Sequence, residues 1–212
     1  QGLRNVEGIR VESLDKILGQ ARKTVERLTE TDPANVELLR SKAAMLDEFA
    51  QTYLAAGNLD AALKNAEEGL AIQRRIAEAD GGQQALRNLS VGLVRIGDVK
   101  REQGDSAGAL AAYEESLALR KTIASMEGDG AQAEFDVTVT LERIADLKRR
   151  MGDSAGALAA YEQSLAIRQR LDTSPQVDAE ARRGVLVSLG KICDLKRQTG
   201  NASGALEACN GM

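Results

Sequence analysis

The sequence predicts an all-α protein, a right-handed solenoid of αα-hairpins, and its composition and an internal repeat are the two observations behind this prediction. Only 2 of the 212 residues are proline, and alanine, leucine, glutamate and arginine, which all favour helices, dominate the chain. The stretch GDSAGALAAYEESLALR from Gly104 recurs as GDSAGALAAYEQSLAIR from Gly152, and related stretches begin at Gly57 and Gly200. Self-similarity at such a nearly constant spacing is typical of helical repeat arrays.

Each repeat is predicted to contain two helices joined by a tight turn. Before Gly104, apolar residues recur with the spacing of one helical face, at Leu86, Leu89, Leu93 and Ile96. Gly104 ends this helix because glycine accepts the left-handed conformation just past a helix end. Asp105 or Ser106 caps the next helix, which runs to about Ser125. Loops that contain Asp, Gly or Pro are expected at 31–35, 80–82, 127–130 and 172–176.

One window favours a different structure. Residues 136–144, DVTVTLERI, alternate like a strand and are rich in β-branched side chains. The apolar residues of this window, however, occupy the same repeat positions as those of the preceding helix pair and as Val185, Leu189 and Ile192 in the next. This register predicts a helix here as well.

The motif at Gly104–Gly108 also matches G-x-S-x-G, the pattern of a serine nucleophile on a strand-to-helix turn. Such a nucleophile needs a preceding strand and a base, whereas this motif follows a helix and the chain contains no histidine. The chain has no phosphate-binding G-x-x-x-x-G-K loop, and its two cysteines are too few for a Cys₄ zinc site. We therefore expect no enzyme activity, no catalytic residue, no cofactor and no metal site, and we interpret the repeated serine as a turn and N-cap residue.

The hairpins resemble the tetratricopeptide repeat. That family places a Leu-Gly pair late in the first helix, Gly-Asp at the turn, and then Ala, an aromatic and a small residue in the second helix. The corresponding residues here are Ile96-Gly97, Gly104-Asp105, Ala109, Tyr113 and Ser116 in the second repeat, and Ile144-Ala145, Gly152-Asp153, Ala157, Tyr161 and Ser164 in the third. The 48-residue period exceeds the family's usual length of about 34. The resemblance is therefore to a long-period form, similar to the repeats of kinesin light chains and of large bacterial signalling proteins.

The resemblance divides the chain into an N-terminal capping helix at 1–33 and a repeat array at 34–212. The repeats are expected at about 34–80, 81–128, 129–176 and 177–212, with the last one truncated. Because the chain begins with Gln1 rather than Met, we expect it to be part of a larger protein, and the resemblance implies a bacterial signalling protein.

In tetratricopeptide arrays the first helices line a concave groove that binds partners, and the resemblance implies such a groove here. On a helical wheel, Asp98 points away from the buried face of its helix, and Val91 nearly so. The same positions in later repeats complete the set of candidate groove residues: a valine row of Val91, Val139 and Val187, an aspartate row of Asp98, Asp146 and Asp194, and two basic rows, Arg95, Arg143 and Lys191 with Arg101, Arg149 and Arg197. Since the first repeat departs from this pattern with Ala44 and Gln51, we expect the groove to start at the second repeat. The alternative is that Asp98 and Arg101 form an ordinary surface ion pair, worth only about a few tenths of a kcal/mol.

The expected partner is a protein or a peptide. A net charge of −4 and the lack of aromatic residues on the groove face argue against nucleic acid. Since no apolar run is long enough to span a bilayer, we expect no membrane contact and a cytoplasmic location. The alternative function is self-association or a structural spacer, with a homodimer formed through the incomplete C-terminal repeat.

The two cysteines are predicted to face each other in the last hairpin. Cys193 takes the small-residue position of the first helix, and Cys209 takes the aromatic position of the second. A disulfide needs Cα atoms within about 7 Å, whereas the axes of packed helices lie about 8–10 Å apart. We therefore expect free, buried thiols that act as small hydrophobic side chains.

Overall fold

A computed structural model of the chain describes residues 11–126, 130–172 and 179–211. The secondary structure of these residues consists of α1 (Val11–Thr31), α2 (Val36–Ala55), α3 (Leu59–Asp80), α4 (Gln83–Gln103), α5 (Ser106–Ala124), α6 (Gly130–Arg150), α7 (Ser154–Asp172), α8 (Ala179–Gln198) and α9 (Ala202–Asn210). The predicted all-α architecture of tandem hairpins is confirmed, with α2, α4, α6 and α8 as first helices and α3, α5, α7 and α9 as second helices. The chain divides into two compact units, the first ending at Ala112 and the second beginning at Tyr113. Among the described helices, none is both long and apolar enough to cross a membrane.

The tight turn within each hairpin is built on a glycine with left-handed backbone conformation. The φ angles are 76° at Gly57, 84° at Gly104, 84° at Gly152 and 78° at Gly200. After Gly104, the side chain of Asp105 caps α5, because its Oδ1 accepts a hydrogen bond from the Gly108 N–H at 2.9 Å. Asp105 is thus the cap and Ser106 is the first helical residue, which corrects the interpretation of the serine as an N-cap.

The window that alternates like a strand is helical, because residues 136–144 lie inside α6. Val137, Leu141 and Ile144 are 3%, 2% and 4% exposed, as the repeat register predicted. Packing of α6 on α7 therefore outweighs the local preference of β-branched residues. The predicted loops at 31–35 and 80–82 connect helices as expected, whereas 127–129 and 173–176 lie outside the described residues.

Small residues allow the helices of the first unit to approach closely. In this unit α1 packs on α2, α2 on α3, and α3 on α4. Ala62 and Ala66 of α3 are fully buried, as is Leu46 of α2. A Cβ placed at Gly69 of α3 would lie 3.4 Å from the Leu46 Cβ, in van der Waals contact, so α3 and α2 approach closely at this point.

Helix α1 contacts the rest of the first unit through one apolar and several polar residues. Leu18 is buried. Arg22 donates to Asn65 Oδ1 at 3.1 Å and forms an ion pair with Glu68. Residues 1–10 of the predicted capping segment lie outside the described part of the chain.

Helices α8 and α9 of the second unit are joined by a disulfide between Cys193 and Cys209. Their Cα atoms lie 5.4 Å apart, which is within reach of a disulfide. The expectation of free thiols is therefore wrong. The reason is that the expectation compared a Cα distance with a distance between helix axes, whereas Cα atoms lie about 2.3 Å from their axis, so facing Cα atoms are closer together than the axes are.

Candidate functional site

A pocket of about 140 Å³ lies within the first unit. Its walls are Arg40, Ala43, Ala44 and Asp47 from α2, Gln73 and Ile76 from α3, and Ala85, Asn88 and Val91 from α4. These residues meet because α2 and α4 are successive first helices that both pack against α3. Val91 belongs to the predicted valine row, and Ala44 holds the corresponding position in the repeat that the sequence analysis left outside the groove.

A hydrogen-bonded carboxylate and amide lie in this pocket. Gln73 Nε2 donates to Asp47 Oδ2 at 3.1 Å, and Gln73 is only 5% exposed. The Gln73 side chain fits because position 92 of α4 is glycine, where a Cβ would collide with Gln73 Oε1. The two remaining oxygens, Asp47 Oδ1 and Gln73 Oε1, are buried and have no hydrogen-bond partner among the described residues. Buried acceptors without donors are uncommon in folded proteins, so this pair is a candidate binding feature.

Burial raises the pKa of the Asp47 carboxyl group. The positive charge of Arg95 and the hydrogen bond from Gln73 lower this pKa, and the nearby charge of Glu48 raises it further. Burial outweighs the two stabilising contacts, so the ionised carboxylate is held in a less favourable environment than water provides. The positive charge of Arg95, one of the predicted groove residues, thus stabilises the ionised carboxylate of Asp47 in the pocket.

Arg40 forms the charged edge of the same pocket. Its Nη1 lies 2.9 Å from Glu37 Oε1 and its Nη2 lies 3.2 Å from Asp80 Oδ2. The Arg40 Nε is buried and has no hydrogen-bond partner within the described ranges. The pocket therefore combines an apolar wall with the polar side chains of Arg40, Asp47 and Gln73.

Among the predicted groove residues of the first unit, Asp98 is less accessible than the helical wheel indicated. Val91 is 38% exposed, whereas the Asp98 side chain is only 13% exposed. Asp98 Oδ1 lies 3.9 Å from Arg101 Nη1, which is the ion pair of the alternative interpretation. Arg101 also contacts Glu102 Oε1 at 2.8 Å, so its charge is shared between two carboxylates.

A second pocket, of about 130 Å³, lies within the second unit. Its walls are Arg149, Tyr161, Lys191, Asp194, Leu195 and Gln198, from α6, α7 and α8. Three of these six residues, Arg149, Lys191 and Asp194, are predicted groove residues. The structure therefore brings one member each of the aspartate row and the two basic rows into one pocket.

Tyr161 connects the three helices that line this second pocket. Its hydroxyl group donates a hydrogen bond to Asp146, whose Oδ2 accepts from Lys191 Nζ at 3.0 Å. The same ammonium nitrogen lies 5.3 Å from the centroid of the Tyr161 ring. Burial, followed by the hydrogen bond to Asp146 and the Asp146 charge, raises the pKa of Tyr161, so the phenol remains a donor at neutral pH.

The remaining predicted residues of the second unit differ in exposure. Val139 and Arg143 are half-buried, and Val187 is 45% exposed. Asp194 Oδ1 lies 3.0 Å from Arg197 Nη2 in a pair whose side chains are 62% and 74% exposed. This exposed pair, one helical turn apart, matches the ordinary surface ion pair of the alternative interpretation.

A further polar cluster, which sequence analysis missed, joins α6, α7 and α8. Glu142 Oε1 accepts from Arg168 Nη2 at 3.0 Å and from Ser188 Oγ at 3.0 Å. The Arg168 Cζ lies 5.6 Å from the centroid of the Phe135 ring. Arg168 fits because position 184 of α8 is glycine, where a Cβ would collide with Nη1.

The two polar pairs occupy the same positions of the repeat. Asp47 and Glu142 lie equally far before the turn glycine of their own hairpin, and Gln73 and Arg168 lie equally far after it. Neither pair occupies the outward positions of the first helices from which the groove was predicted, so neither was among the predicted residues. An acidic residue at this position in two repeats was the signal that could have located both pairs.

A sequence-family model of the tetratricopeptide repeat matches residues 43–80 and 137–171. Two segments of the chain are therefore similar to the tetratricopeptide repeat. The first matched segment covers the later part of α2 and all of α3, and the second covers most of α6 and α7. Asp47 and Gln73 therefore lie together in the first matched segment, and Glu142 and Arg168 lie together in the second.

Solved structures of similar fold include other repeat proteins. The crystal structure of BtubC (BKLC) from P. vanneervenii is 15% identical with a TM-score of 0.63, over 92% of this chain and 86% of that one. A putative kinesin light chain from Podosopora anserina with nearly identical TPR-like repeats is 17% identical with a TM-score of 0.59, over 91% and 92%. The crystal structure of MamA is 16% identical with a TM-score of 0.50, over 95% and 92%. A search of curated protein sequences gave no match.

Proposed function

We propose that this chain is a non-catalytic scaffold that binds a peptide or protein partner through the outward faces of its first helices. Tetratricopeptide repeats are typically scaffolds for protein–protein interaction, which supports this class of function. The long-period resemblance adds the expectation that the scaffold serves a larger bacterial signalling protein.

The observation that carries this proposal is that each unit has a pocket lined mainly by first-helix residues, among them predicted groove residues. Val91 lines the pocket of the first unit. Arg149, Lys191 and Asp194 line the pocket of the second unit. In both pockets charged groups lie next to apolar side chains, which is the mixture that a peptide needs for affinity and register.

The exposed valines and the charged residues on these faces would contribute to binding in different ways. Val91 and Val187 are 38% and 45% exposed, so a partner that covers them removes apolar surface from water. The aspartate row and the basic rows would set the register and speed association through electrostatic complementarity. The expected ligand is an extended or helical peptide whose basic residues meet the aspartate row.

The experiment selects binding peptides from a random displayed library and measures their affinity for a variant of the aspartate row. The triple variant Asp98→Asn, Asp146→Asn, Asp194→Asn keeps side-chain shape and removes three negative charges. We expect its affinity to fall at least tenfold, about 1.4 kcal/mol. The loss should shrink in high salt because the charges act partly through a screened field.

The matched control changes three exposed acidic residues of the second helices, in the triple variant Asp60→Asn, Glu114→Gln, Glu162→Gln. This control alters the net charge equally, so it should bind like the unchanged chain. Circular dichroism and thermal melting check that both variants remain folded. If the control loses binding while the aspartate-row variant binds normally, the partner uses the second-helix face and the proposal is wrong.

Self-association is a second candidate function, which exposed apolar residues of the last hairpin favour. Leu186 and Val187 on α8 are 46% and 45% exposed, and Leu206 on α9 is 63% exposed. The positions that correspond to Leu186 in earlier repeats, Thr138 and Ser90, are 0% and 1% exposed. Light scattering should show a concentration-dependent dimer that Leu206→Glu abolishes, and a monomer at every concentration would contradict this alternative.

The Cys193–Cys209 bond bears on the location of the protein. Disulfides persist mainly in oxidising compartments and are rare in the cytosol. The disulfide therefore argues against the expected cytoplasmic location and favours an oxidising one.

A further inference from the structure

We propose that the disulfide between Cys193 and Cys209 is a redox switch that holds α9 on α8, and that its reduction releases α9 and uncovers apolar side chains of α8. The reductant is a dithiol, or two molecules of a monothiol such as glutathione. Its first thiolate attacks one cysteine sulfur while the S–S bond breaks, and the other cysteine leaves as a thiolate that takes up a proton. Its second thiolate then displaces the first cysteine, so two protein thiols form and the reductant becomes a disulfide.

The cysteine pair stands where the preceding hairpin has an anchor that does not depend on redox conditions. Cys193 holds the repeat position of Ala145, and Cys209 holds that of Tyr161. Tyr161 is 0% exposed and its hydroxyl group donates a hydrogen bond to Asp146, so α7 is fixed on α6 by burial and by this bond. A cysteine side chain is much smaller than that of tyrosine and buries less apolar surface. The attachment of position 209 to α8 therefore depends on the covalent bond.

The noncovalent contacts of α9 are made mainly by small side chains. Ala205 and Ala208 are the buried residues of this helix. Leu206, which has its largest apolar side chain, is 63% exposed. The disulfide closes a loop with a sequence separation of 16, and a bond across a loop of this size shifts the equilibrium between docked and released α9 on the order of a hundredfold. The bond is therefore a major contribution to the docking of α9.

The release of α9 would enlarge the exposed apolar surface of α8. Leu186, Leu189 and Cys193 lie at i, i+3 and i+7, on one face of this helix. Leu186 is 46% exposed, whereas Leu189 is 7% and Cys193 is 8% exposed. Gly211, the C-cap of α9, covers Leu189, because a Cβ placed at this glycine would lie 3.6 Å from both δ carbons of the leucine. Reduction thus extends the exposed apolar surface from Leu186 along this face, so the scaffold presents a different surface under reducing conditions.

The position of the bond in the hairpin suits a reversible reaction. Cys209 is half-buried, whereas Cys193 is 8% exposed. Partly exposed disulfides are reduced more readily than fully enclosed ones. The bond persists in an oxidising compartment, so the switch responds when the surroundings become reducing.

The test compares hydrogen exchange of the whole chain before and after treatment with dithiothreitol. We expect amide exchange in α9 to accelerate at least tenfold on reduction, while exchange in α6 and α7 stays unchanged. Binding of an apolar fluorescent dye should increase at the same time, because the Leu189 side chain becomes accessible. Oxidised glutathione should restore both slow exchange and low dye binding.

The matched control is the double variant Cys193→Ala, Cys209→Tyr, which gives the last hairpin the anchor of the preceding one. The chain also has Asp194 at the repeat position of Asp146, so the introduced phenol has a carboxylate partner. This variant should keep α9 protected and should not respond to dithiothreitol. A response equal to that of the unchanged chain would show that the reagent acts elsewhere, and would overturn the proposal.

A second variant keeps the test decisive if the introduced tyrosine disturbs folding. Cys193→Ser, Cys209→Ser should exchange like the reduced chain, with or without dithiothreitol. Exchange in α9 as slow in this variant as in the bonded chain would overturn the switch. The same conclusion would follow if reduction accelerated exchange equally in α6, α7 and α9, or if glutathione opened the bond only when the whole second unit unfolds, because the bond would then be a permanent crosslink.

Discussion

The ion pair between Glu142 and Arg168 should stabilise the second unit, and its loss should be measurable. The Arg168 side chain is 8% exposed and the Glu142 side chain is 18% exposed. The substitution Arg168→Met removes the guanidinium group but keeps an unbranched apolar stem beside Phe135. The Glu142 carboxylate would then retain only hydroxyl donors, Ser188 at 3.0 Å and Ser164 at 3.4 Å.

The size of the effect follows from how deeply the pair is buried. Removing one partner of a fully buried ion pair costs about 3–5 kcal/mol. Because Glu142 keeps some contact with solvent and a close bond to Ser188, we expect about 2–3 kcal/mol for Arg168→Met. For a chain of this length that corresponds to a fall in melting temperature of roughly 4–12 °C.

This prediction is tested by a double-mutant cycle, in which urea unfolding and thermal melting give the free energy of unfolding of each variant. The double variant Glu142→Leu, Arg168→Met replaces both charges by apolar groups and should lie within about 1 kcal/mol of the unchanged chain. Arg168 Nε has no hydrogen-bond partner among the described residues, so part of the cost of burying the guanidinium is not recovered in the native pair. A cost below about 0.5 kcal/mol for Arg168→Met, or a double variant no more stable than that single one, would refute the reasoning.

Three further predictions concern the turns, the pocket and the disulfide. Gly152→Ala places a side chain at a φ of 84° and should cost about 1–2 kcal/mol in urea unfolding, whereas Gly130→Ala, which is not among the positive-φ glycines, should cost nothing. Asp47→Asn should stabilise the chain at about pH 7 and lose this gain as the pH falls to about 4. The reason is that burial raises the pKa of Asp47, so the unchanged chain loses stability as the pH rises and this carboxyl group ionises, whereas the amide of the Asp47→Asn variant does not ionise. Equal gains in the free energy of unfolding at both pH values would contradict this prediction. Cys209→Ser or reduction should cost about 3 kcal/mol, since the bond closes a loop with a sequence separation of 16. Hydrogen exchange in α9 should accelerate accordingly, and an intact mass at the fully reduced value would contradict the bond.

The repeat made the fold predictable from the sequence. Gly104 and Gly152 mark the turns at identical φ angles of 84°, and the register between repeats identified α6 as a helix despite its β-branched residues. These features depend on local backbone chemistry and on burial at fixed spacing, which recur in each repeat. A comparison of the repeats therefore identifies the turns and the buried positions that all of them have in common.

The polar pairs and the disulfide depend on where repeats differ, which is why sequence reasoning missed them. Asp47 and Gln73 meet because Gly92 on a third helix leaves space for the amide. Cys193 and Cys209 can bond because they face each other across α8 and α9, where the Cα distance is 5.4 Å and so shorter than the spacing of helix axes that was used to predict it. The helical wheel treated α4 as isolated and so overestimated the exposure of Asp98, whose side chain is 13% exposed. To predict any of these three features, the relative positions of two or three helices must be known.

Methyl NMR spectra of the chain with a library-selected peptide test most directly the claim that the first-helix faces bind the partner. The account predicts shifts in the methyl groups of the valine row and of Ala44, with little change at the buried Val99 and Val137, which are 0% and 3% exposed. Shifts confined to exposed second-helix residues such as Ala118, with the valine row unchanged, would contradict it.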